Sequence, residues 1–420
     1  MKFSKYLSSE GWQPVIYTPL NPEMTAVDES LAAEIPQDVE VVRRKIFEPY
    51  GIYRRLLGRR GGKAAAEVNP INSRNMSLGK RLTMFVRGNC FIPDPRCFWI
   101  GPSVRFLKKY LKAHPVDVII STGPPHSMHL IALGLSRATG LPWVADFRDP
   151  WTRMFYFKHL GLTSLSERIH RKLEKKVLDG ADVVVAVSPL VRDEFRTMTD
   201  TRVELVTNGY DEADFPQVQD IPGERSFFNL THTGLFASDG NPEILWTVLA
   251  EKAASDKEFA ESLRIRLAGR TDEEIRESIR RAGLGANLED RGYLPHGEAV
   301  AEQCSATVLL LPLRKEPEYR AVLPGKLFEY LAARRPVLGI GQSDGAMAAI
   351  LSDTSAGETF DWEDREGLRD FVDRQWKAFR EGRSLYCGKD ISAYSRRELA
   401  RRMAELLDTV TGKNNGKADQ

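Results

Sequence analysis

Residues 116–147 read VDVIISTGPPHSMHLIALGLSRATGLPWVADF and contain three consecutive patterns. Val116–Thr122 is an apolar run typical of a buried strand, Ser127–Thr139 has the apolar spacing of a helix, and Trp143–Phe147 is a second buried run. A turn of glycine and two prolines separates the first strand from the helix. Buried strands that alternate with helices predict a parallel sheet covered by crossover helices, which is the doubly wound α/β class.

The same alternation continues along the chain in two sets. The first set goes on through a helix at Leu165–Leu178 and strands at Val183–Val187 and Val203–Thr207. Residues 211–225 are rich in proline, glycine and acids and predict a linker. The second set has strands at Asn229–Thr233, Leu263–Ala268, Val308–Pro312 and Pro336–Ile340, with helices at Pro242–Ala254, Glu273–Ala282 and Lys326–Ala333. We therefore predict an N-terminal domain over residues 1–210 and a C-terminal domain over residues 226–392.

Both ends of the chain carry further predictions. A helix over residues 393–412 opens on the capping-box spacing of Ser395 and Glu398, and the tail 413–420 is expected to be disordered. Near the start, Val15–Thr18 predicts a strand that follows a short helix. The first Rossmann-like unit thus begins without its usual first strand, and we expect about 20 to 25 more residues upstream, including a glycine turn.

Composition excludes several classes of protein. The 420 residues are 42% hydrophobic and 28% charged, which argues against disorder of the whole chain. Apolar runs are too short for a membrane span, and the start lacks the apolar region of a signal peptide. Four cysteines show no CxxC pair and no metal-ligand spacing. These features predict a soluble protein of a reducing compartment, the cytoplasm.

Charge is distributed unevenly along the chain. Residues 43–112 hold seventeen basic and three acidic side chains, a net charge of +14, whereas the rest carries −12. Aromatic and apolar residues interleave with these charges, and no nucleic-acid motif is present. This combination favours a peripheral contact with an anionic membrane surface or a lipid pyrophosphate, on the inner face of the plasma membrane. A solvated basic face without a partner is the alternative.

Four motifs in order resemble those of bacterial family 4 glycosyltransferases. They are Ser121–Ala132 (STGPPHSMHLIA), Trp143–Trp151 (WVADFRDPW), Val206–Asp211 (VTNGYD) and Pro324–Ala332 (PGKLFEYLA). The resemblance covers nearly the whole chain. It implies the GT-B fold, in which two Rossmann-like domains face each other across a cleft, with sugar transfer from a nucleotide donor, retention of configuration and no required metal or other cofactor. The closing helix is expected either to cross back to the first domain, as in relatives, or to pack only on the second.

The donor side of the resemblance centres on the helix after Leu323-Pro324-Gly325. Glu329 resembles the second glutamate of the family's paired-glutamate motif, and its carboxylate suits vicinal ribose hydroxyls. Lys326 is expected to provide positive charge to the diphosphate, and Gly325 leaves backbone N–H groups for a phosphate. A surface acid at Glu329 and a solvated lysine at Lys326 are the alternatives.

Two departures from the family pattern affect this donor side. The position of the first glutamate holds Ala321, with Glu316 and Glu318 as nearby alternatives. The basic pair of many relatives is missing from residues 232–241. Diphosphate charge is then expected to be met by backbone N–H groups around Gly234, by Arg270 or by Lys326, although Arg270 also suits a surface loop.

The acceptor side is predicted at the ends of two strands in the N-terminal domain. Arg148 stands where several relatives have a histidine that touches the donor sugar, and it is a poor base because it stays protonated. Asp149 is the candidate base for the acceptor hydroxyl or the partner that orients Arg148; an Asp–Arg pair that only locks the loop is the alternative. His126 is a candidate substrate contact or a plain loop residue, and His129 is expected to be structural.

These features lead to one main reading and two alternatives. The main one is a glycosyltransferase that moves a sugar to a saccharide or lipid-linked saccharide of cell-envelope or exopolysaccharide assembly. A non-catalytic protein that binds a nucleotide sugar or a partner enzyme is the second, supported by the departures above. An epimerase of the same fold is the third, and it leaves the basic segment unexplained.

Overall fold

The computed structural model describes residues 2–22, 35–48, 78–215 and 226–413. Three of the predictions above fall wholly or partly elsewhere. Most of the linker (216–225), the tail (414–420) and part of the basic segment (49–77) lie outside the described residues.

The chain divides into two compact units. Residues 1–207 together with 399–420 form unit 1, and residues 208–398 form unit 2. Each unit is built on parallel strands and helices, so the predicted doubly wound α/β class is confirmed.

Within its described residues, unit 1 contains two parallel sheets. One is the pair β1 (Val15–Pro19) and β2 (Glu40–Arg44), and the other has four strands in the order β3 (Ile119–Gly123), β4 (Trp143–Phe147), β5 (Val183–Ala186) and β6 (Arg202–Leu205). The helices described in this unit are α1 (Lys2–Tyr6), α2 (Leu78–Cys90), α3 (Cys97–Ala113), α4 (Ser127–Thr139), α5 (Ser164–Leu178) and α6 (Pro189–Met198). Every position of β4 and β5 is buried, as expected for central strands covered on both faces.

Unit 2 contains one parallel sheet of six strands in the order β12–β11–β10–β7–β8–β9. The strands are β7 (Phe228–Thr233), β8 (Leu263–Ala268), β9 (Leu288–Gly292), β10 (Val308–Pro312), β11 (Val337–Ile340) and β12 (Gly357–Phe360). The helices are α7 (Glu243–Ser255), α8 (Lys257–Ser262), α9 (Glu273–Arg281), α10 (His296–Ser305), α11 (Gly325–Ala333), α12 (Ala346–Asp353) and α13 (Arg365–Arg380). The strand order reverses at β7 and β10, where doubly wound sheets place ligands.

The closing helix α14 (Arg396–Thr411) packs on unit 1. Its buried Leu399, Met403 and Leu407 share a hydrophobic cluster with Val144 and Val183 of the four-stranded sheet. Of the two expectations for this helix, the crossing back to the first unit is confirmed. The apolar face read from the sequence is the face that contacts the sheet.

The longest helix in the described ranges is α3, with 17 residues. Among the helices that the structure describes, none is long and apolar enough to cross a membrane.

Candidate functional site

The donor-side candidates of unit 2 gather where its central strands end. Glu329, Lys326 and Gly325 lie in the first two turns of α11, and Gly234 and Arg270 follow β7 and β8. The carboxyl ends of parallel strands meet at one edge of a sheet, so the topology brings these residues to the same edge.

Lys326 reaches the turn after β7. Its Nζ donates to the Leu235 carbonyl oxygen at 3.2 Å and lies 3.2 Å from His232 Nε2. His232 Nδ1 lies 3.0 Å from the Leu310 carbonyl oxygen, which only accepts, so Nδ1 carries the proton and Nε2 accepts from the lysine. The ammonium is therefore fixed by protein contacts, and the alternative of a freely solvated lysine is wrong.

The charge state of this pair follows from its surroundings. Burial, together with the neighbouring Lys326, holds the pKa of His232 well below its usual range, which keeps the imidazole neutral. Burial also lowers the pKa of Lys326 to about 8, while Glu329 opposes that shift. At neutral pH the lysine is mostly protonated, and it places a positive charge at the carboxyl edge of the sheet.

Gly234 makes room for this lysine. Its φ is +87°, and a Cβ at this position would lie 3.3 Å from Lys326 Nζ. Its own N–H donates to the Ala268 carbonyl oxygen at 2.6 Å, so of the backbone N–H groups around Gly234 this one is already engaged within unit 2. Gly269 is required for the same packing, because a Cβ there would lie 2.4 Å from the Gly234 oxygen.

Glu329 is half-buried, and one of its carboxylate oxygens is engaged. Oε2 accepts a hydrogen bond of 2.9 Å from Nε2 of the buried Gln303. The Glu329 carboxylate is therefore held in one orientation by its own unit. The alternative of a plain surface acid does not describe this arrangement.

The remaining donor-side candidates are more exposed than Lys326 and Glu329. Arg270 has an exposed side chain, and Gly325 is exposed at the start of α11 with open space where a Cβ would be. Ala321 closes a 3₁₀ turn. Of its two acidic neighbours, Glu316 has a buried Oε2 without a hydrogen-bond partner in the described part of the chain.

In unit 1, Arg148 follows β4, and the carboxylate that orients it is not the expected one. Arg148 donates from Nε to both oxygens of Asp146, at 2.9 and 2.8 Å, and from Nη2 to Oδ1 at 2.5 Å. Its Nη1 donates to the Thr207 carbonyl oxygen at 3.3 Å. Arg148 is thus oriented by Asp146 and not by Asp149, because the bidentate geometry of guanidinium and carboxylate is satisfied at the earlier residue.

Asp149 is half-buried beside this pair. No hydrogen bond to its carboxylate is found within the described ranges. Burial raises the pKa of Asp149 to about 6, and the nearby Arg148 opposes the shift. A carboxylate with this pKa is suited to accept a proton near neutral pH.

The two histidines after β3 are buried rather than surface-exposed. His126 stacks on Trp151 with ring centroids 4.7 Å apart, and both of its ring nitrogens lack a hydrogen-bond partner among the described residues. His129 stacks on Phe147 and lies 2.8 Å from Ser121 Oγ. Burial holds the pKa of His126 well below its usual range, so its imidazole is neutral.

Sequence reasoning missed the residues that hold the candidates in place. Gln303 and His232 touch Glu329 and Lys326, and Asp146 holds Arg148. His232 and Asp146 are polar residues near the ends of buried strands, which is a usable signal. Gln303 lies within α10, where no spacing or motif marks it.

The described part of the chain holds no cluster of three or more histidine, cysteine or acidic side chains placed to bind a metal ion.

Comparison with known proteins supports the resemblance. Residues 58–214 match the model of Glycosyltransferase Family 4. The chain has no significant match among curated protein sequences.

Three solved structures show the same fold. Sucrose-phosphate synthase from Thermosynechococcus elongatus has a TM-score of 0.56 and 14% identity, covering 99% of this chain and 90% of that one. An α,α-trehalose-phosphate synthase (UDP-forming) from Burkholderia vietnamiensis has a TM-score of 0.52 and 12% identity, covering 81% and 78%. WaaG, a glycosyltransferase involved in lipopolysaccharide biosynthesis, has a TM-score of 0.50 and 14% identity, covering 99% and 93%. Residues 58–214 are thus similar to Glycosyltransferase Family 4, and the chain as a whole shares the GT-B fold of these solved glycosyltransferases.

Proposed function

We propose that the chain transfers a sugar, with retention of anomeric configuration, from a nucleotide sugar to a saccharide or lipid-linked saccharide of cell-envelope or exopolysaccharide assembly. The observation that carries the proposal is α11, which presents the oriented Glu329 carboxylate and the fixed Lys326 ammonium within two turns of one helix. The fold shared with WaaG, a protein of lipopolysaccharide biosynthesis, supports the envelope acceptor.

The two α11 side chains take complementary parts of the donor. The Glu329 carboxylate accepts hydrogen bonds from ribose hydroxyls, and the Lys326 ammonium neutralises the diphosphate. Negative charge on the diphosphate grows as it leaves, so a fixed ammonium stabilises the transition state more than the ground state. Lys326, rather than a metal ion, provides this charge in our proposal.

The acceptor side completes the reaction. The bond from the anomeric carbon to the diphosphate oxygen breaks, and a bond from the same carbon to the acceptor oxygen forms on the same face. Asp149 accepts the acceptor proton, and the Arg148 guanidinium, held by Asp146, donates to a substrate hydroxyl or phosphate. His126 stacks on Trp151 and so supports the loop that carries Arg148 and Asp149. Arg270 is a candidate second cation for the diphosphate of the donor.

Donor binding is the first test. Titration calorimetry with UDP, GDP and ADP is expected to show one preferred nucleotide, and UDP is the first choice because the fold is shared with a UDP-forming synthase. Glu329→Gln is expected to weaken that binding by about tenfold or more, the value of a hydrogen bond to a charged group. Glu277→Gln, an exposed change on α9, is the matched control. No binding of any nucleotide diphosphate contradicts the proposal.

The described part of the basic segment also supports a membrane contact. Phe47 follows the exposed residues Arg43–Lys45, and its ring lies 5.6 Å from that of Phe98 on α3. Phe47 and Phe98 are 53% and 50% exposed, so apolar anchors stand beside basic charge. We propose that this surface binds anionic lipids on the cytoplasmic face of the membrane.

Co-sedimentation with vesicles tests this surface. Binding is expected with phosphatidylglycerol-containing vesicles and not with pure phosphatidylcholine, and Phe98→Ser is expected to reduce it several-fold. Leu165→Ser, a change of another exposed apolar residue in unit 1, serves as control. Equal binding of the two vesicle types contradicts the membrane proposal and leaves the transfer reaction unaffected.

A further inference from the structure

Gln303 is a buried amide side chain that touches the candidate donor site from behind. It lies on α10 with 1% of its surface exposed. Its Nε2 donates to Glu329 Oε2 at 2.9 Å and to Thr233 Oγ1 at 3.1 Å. One carboxamide therefore connects α10, α11 and the last residue of β7.

The orientation of this amide follows from its partners. The ionised carboxylate of Glu329 only accepts hydrogen bonds, so the amide nitrogen and not the amide oxygen must face it. The two N–H groups of Nε2 account for the two contacts. The Oε1 atom is buried and has no partner within the described residues. Burial of an unpaired oxygen costs stability, because this atom loses its hydrogen bond to water on folding.

The Thr233 contact fixes the amide from its second side. The Thr233 N–H donates to the Tyr330 hydroxyl oxygen at 2.9 Å, and Tyr330 neighbours Glu329 on α11. Tyr330 is fully buried, so its side chain is held in place by the packed core of unit 2. The network thus holds Glu329 Oε2 against a rigid part of unit 2.

We propose that Gln303 is a positioning residue: it occupies one oxygen of Glu329 and leaves the other oriented for the ribose hydroxyls of the donor. This inference rests on the proposed function, because it assigns the free oxygen of Glu329 to the ribose. Without Gln303 the carboxylate can rotate, and a hydrogen bond to the ribose then requires ordering of that side chain on binding. Gln303 touches no donor atom itself and acts through Glu329.

A comparison of two ligands tests this role. Affinities for UDP and for 2′,3′-dideoxy-UDP are measured by calorimetry with the full chain. The wild type is expected to prefer UDP by about tenfold or more, since hydrogen bonds to a carboxylate are lost with the hydroxyls. In Gln303→Met, which keeps the volume and removes the donors, this preference is expected to fall to about two- or threefold.

Two further variants separate positioning from stability. Gln375→Met removes another buried amide of unit 2, on α13, and is expected to keep the wild-type preference. Gln303→Leu removes both the donor and the acceptor of the amide, and it is expected to lose the preference as Gln303→Met does. If the Met variant fails to fold, the Leu variant carries the test.

The outcomes distinguish the inference from the proposed function. An unchanged preference for UDP in a folded Gln303 variant overturns the positioning role and leaves donor binding intact. A wild type that binds both ligands equally well also overturns it. A wild type that binds neither ligand, nor any other nucleotide diphosphate, overturns the proposed function and this inference with it.

Discussion

At the scale of single residues, the donor side depends on one fixed ammonium. Residues 232–241, which begin at the end of β7, contain no lysine or arginine. Lys326 reaches this stretch from α11, and His232 Nε2 accepts a hydrogen bond from its ammonium while the Leu310 carbonyl oxygen fixes the imidazole tautomer. One lysine held in place provides a positive charge of defined position.

The ammonium predicts how nucleotide binding depends on pH. Burial lowers the pKa of Lys326 to about 8, so its positive charge is present below that pH and is lost above it. Diphosphate affinity is expected to fall as pH rises through 8, by up to about tenfold per pH unit. Calorimetry from pH 6.5 to 9.5 with UDP measures this, and Lys326→Met should bind weakly with a flat profile. A wild-type affinity that stays constant to pH 9.5 contradicts the role of Lys326.

The lowered pKa of Lys326 also affects the stability of the fold. Stability is expected to rise with pH, whereas the affinity for the diphosphate falls. The folded-state pKa of Lys326 lies below its usual value of 10.5, so the protonated lysine opposes folding at neutral pH. Between pH 8 and 10.5 this cost is relieved as the folded state releases its proton first. Urea titrations at pH 7 and pH 9.5 are expected to show that Lys326→Met gains stability over the wild type at pH 7 and loses most of that gain at pH 9.5.

Gly234 provides a test of the lysine's packing. Gly234→Ala places a Cβ 3.3 Å from Lys326 Nζ at a φ of +87°, and Gly283→Ala pays the same backbone cost at a φ of +86° with nothing within 4 Å. Both changes are expected to destabilise the protein by about 1 kcal/mol, the cost of a left-handed alanine. Only Gly234→Ala is expected to weaken UDP binding as well. Equal affinities of the two variants contradict the contact.

The pKa of Asp149 predicts how the rate of transfer depends on pH on the acid side. Its pKa of about 6 means that the carboxylate is ionised above that pH, so the rate is expected to rise through pH 6 and then level. Asp149→Asn is expected to lower kcat by about 100-fold or more while leaving UDP affinity unchanged. Stopped assays of nucleotide release across pH 5 to 8 measure both effects, and a variant with the wild-type rate excludes Asp149 as the base.

At the scale of elements, the sequence pattern located the strands and helices that shape the site. The predicted bounds of the strands at 143–147, 263–268 and 308–312 agree with β4, β8 and β10 to the residue, because short runs of buried aliphatic residues have sharp ends. The helices α2 and α3 and the strand β2 were not predicted, since their apolar positions are interrupted by basic residues.

Contacts between elements were the part that the pattern could not supply. Glu329 and Lys326 were found from their motif, but their partners Gln303 and His232 are distant in sequence and depend on how α10 and β7 pack against α11. The orientation of Arg148 was assigned to the wrong neighbour for the same reason, since reach and geometry select Asp146. Spacing along the chain predicts which face a residue occupies and not which side chain it meets.

The closing helix gives an element-scale prediction. Met403 is fully buried where α14 packs on unit 1. Met403→Ala is expected to destabilise the protein by about 2 to 5 kcal/mol, the usual cost of a large-to-small change in a core. Glu405→Ala, an exposed change on the same helix, is expected to cost less than about 1 kcal/mol. Urea unfolding measures both, and equal effects contradict the packing of this helix.

At the scale of the whole molecule, each unit brings its polar groups to the carboxyl ends of its own parallel strands. Unit 2 contributes the carboxylate and ammonium of α11, and unit 1 contributes Arg148 and Asp149 after β4. This division assigns the donor to one unit and acceptor chemistry to the other, which is the central claim of the proposed mechanism.

That claim is tested most directly by product analysis. The full chain is incubated with the sugar form of its preferred nucleotide, bacterial lipid extract and a chelator, and nucleotide release and the anomeric configuration of the product are measured together by NMR. We expect a new glycoside with the configuration of the donor, formed without added metal and lost in both Glu329→Gln and Asp149→Asn. Tight donor binding with no glycoside formed from any acceptor would contradict it and favour a non-catalytic nucleotide-sugar-binding protein.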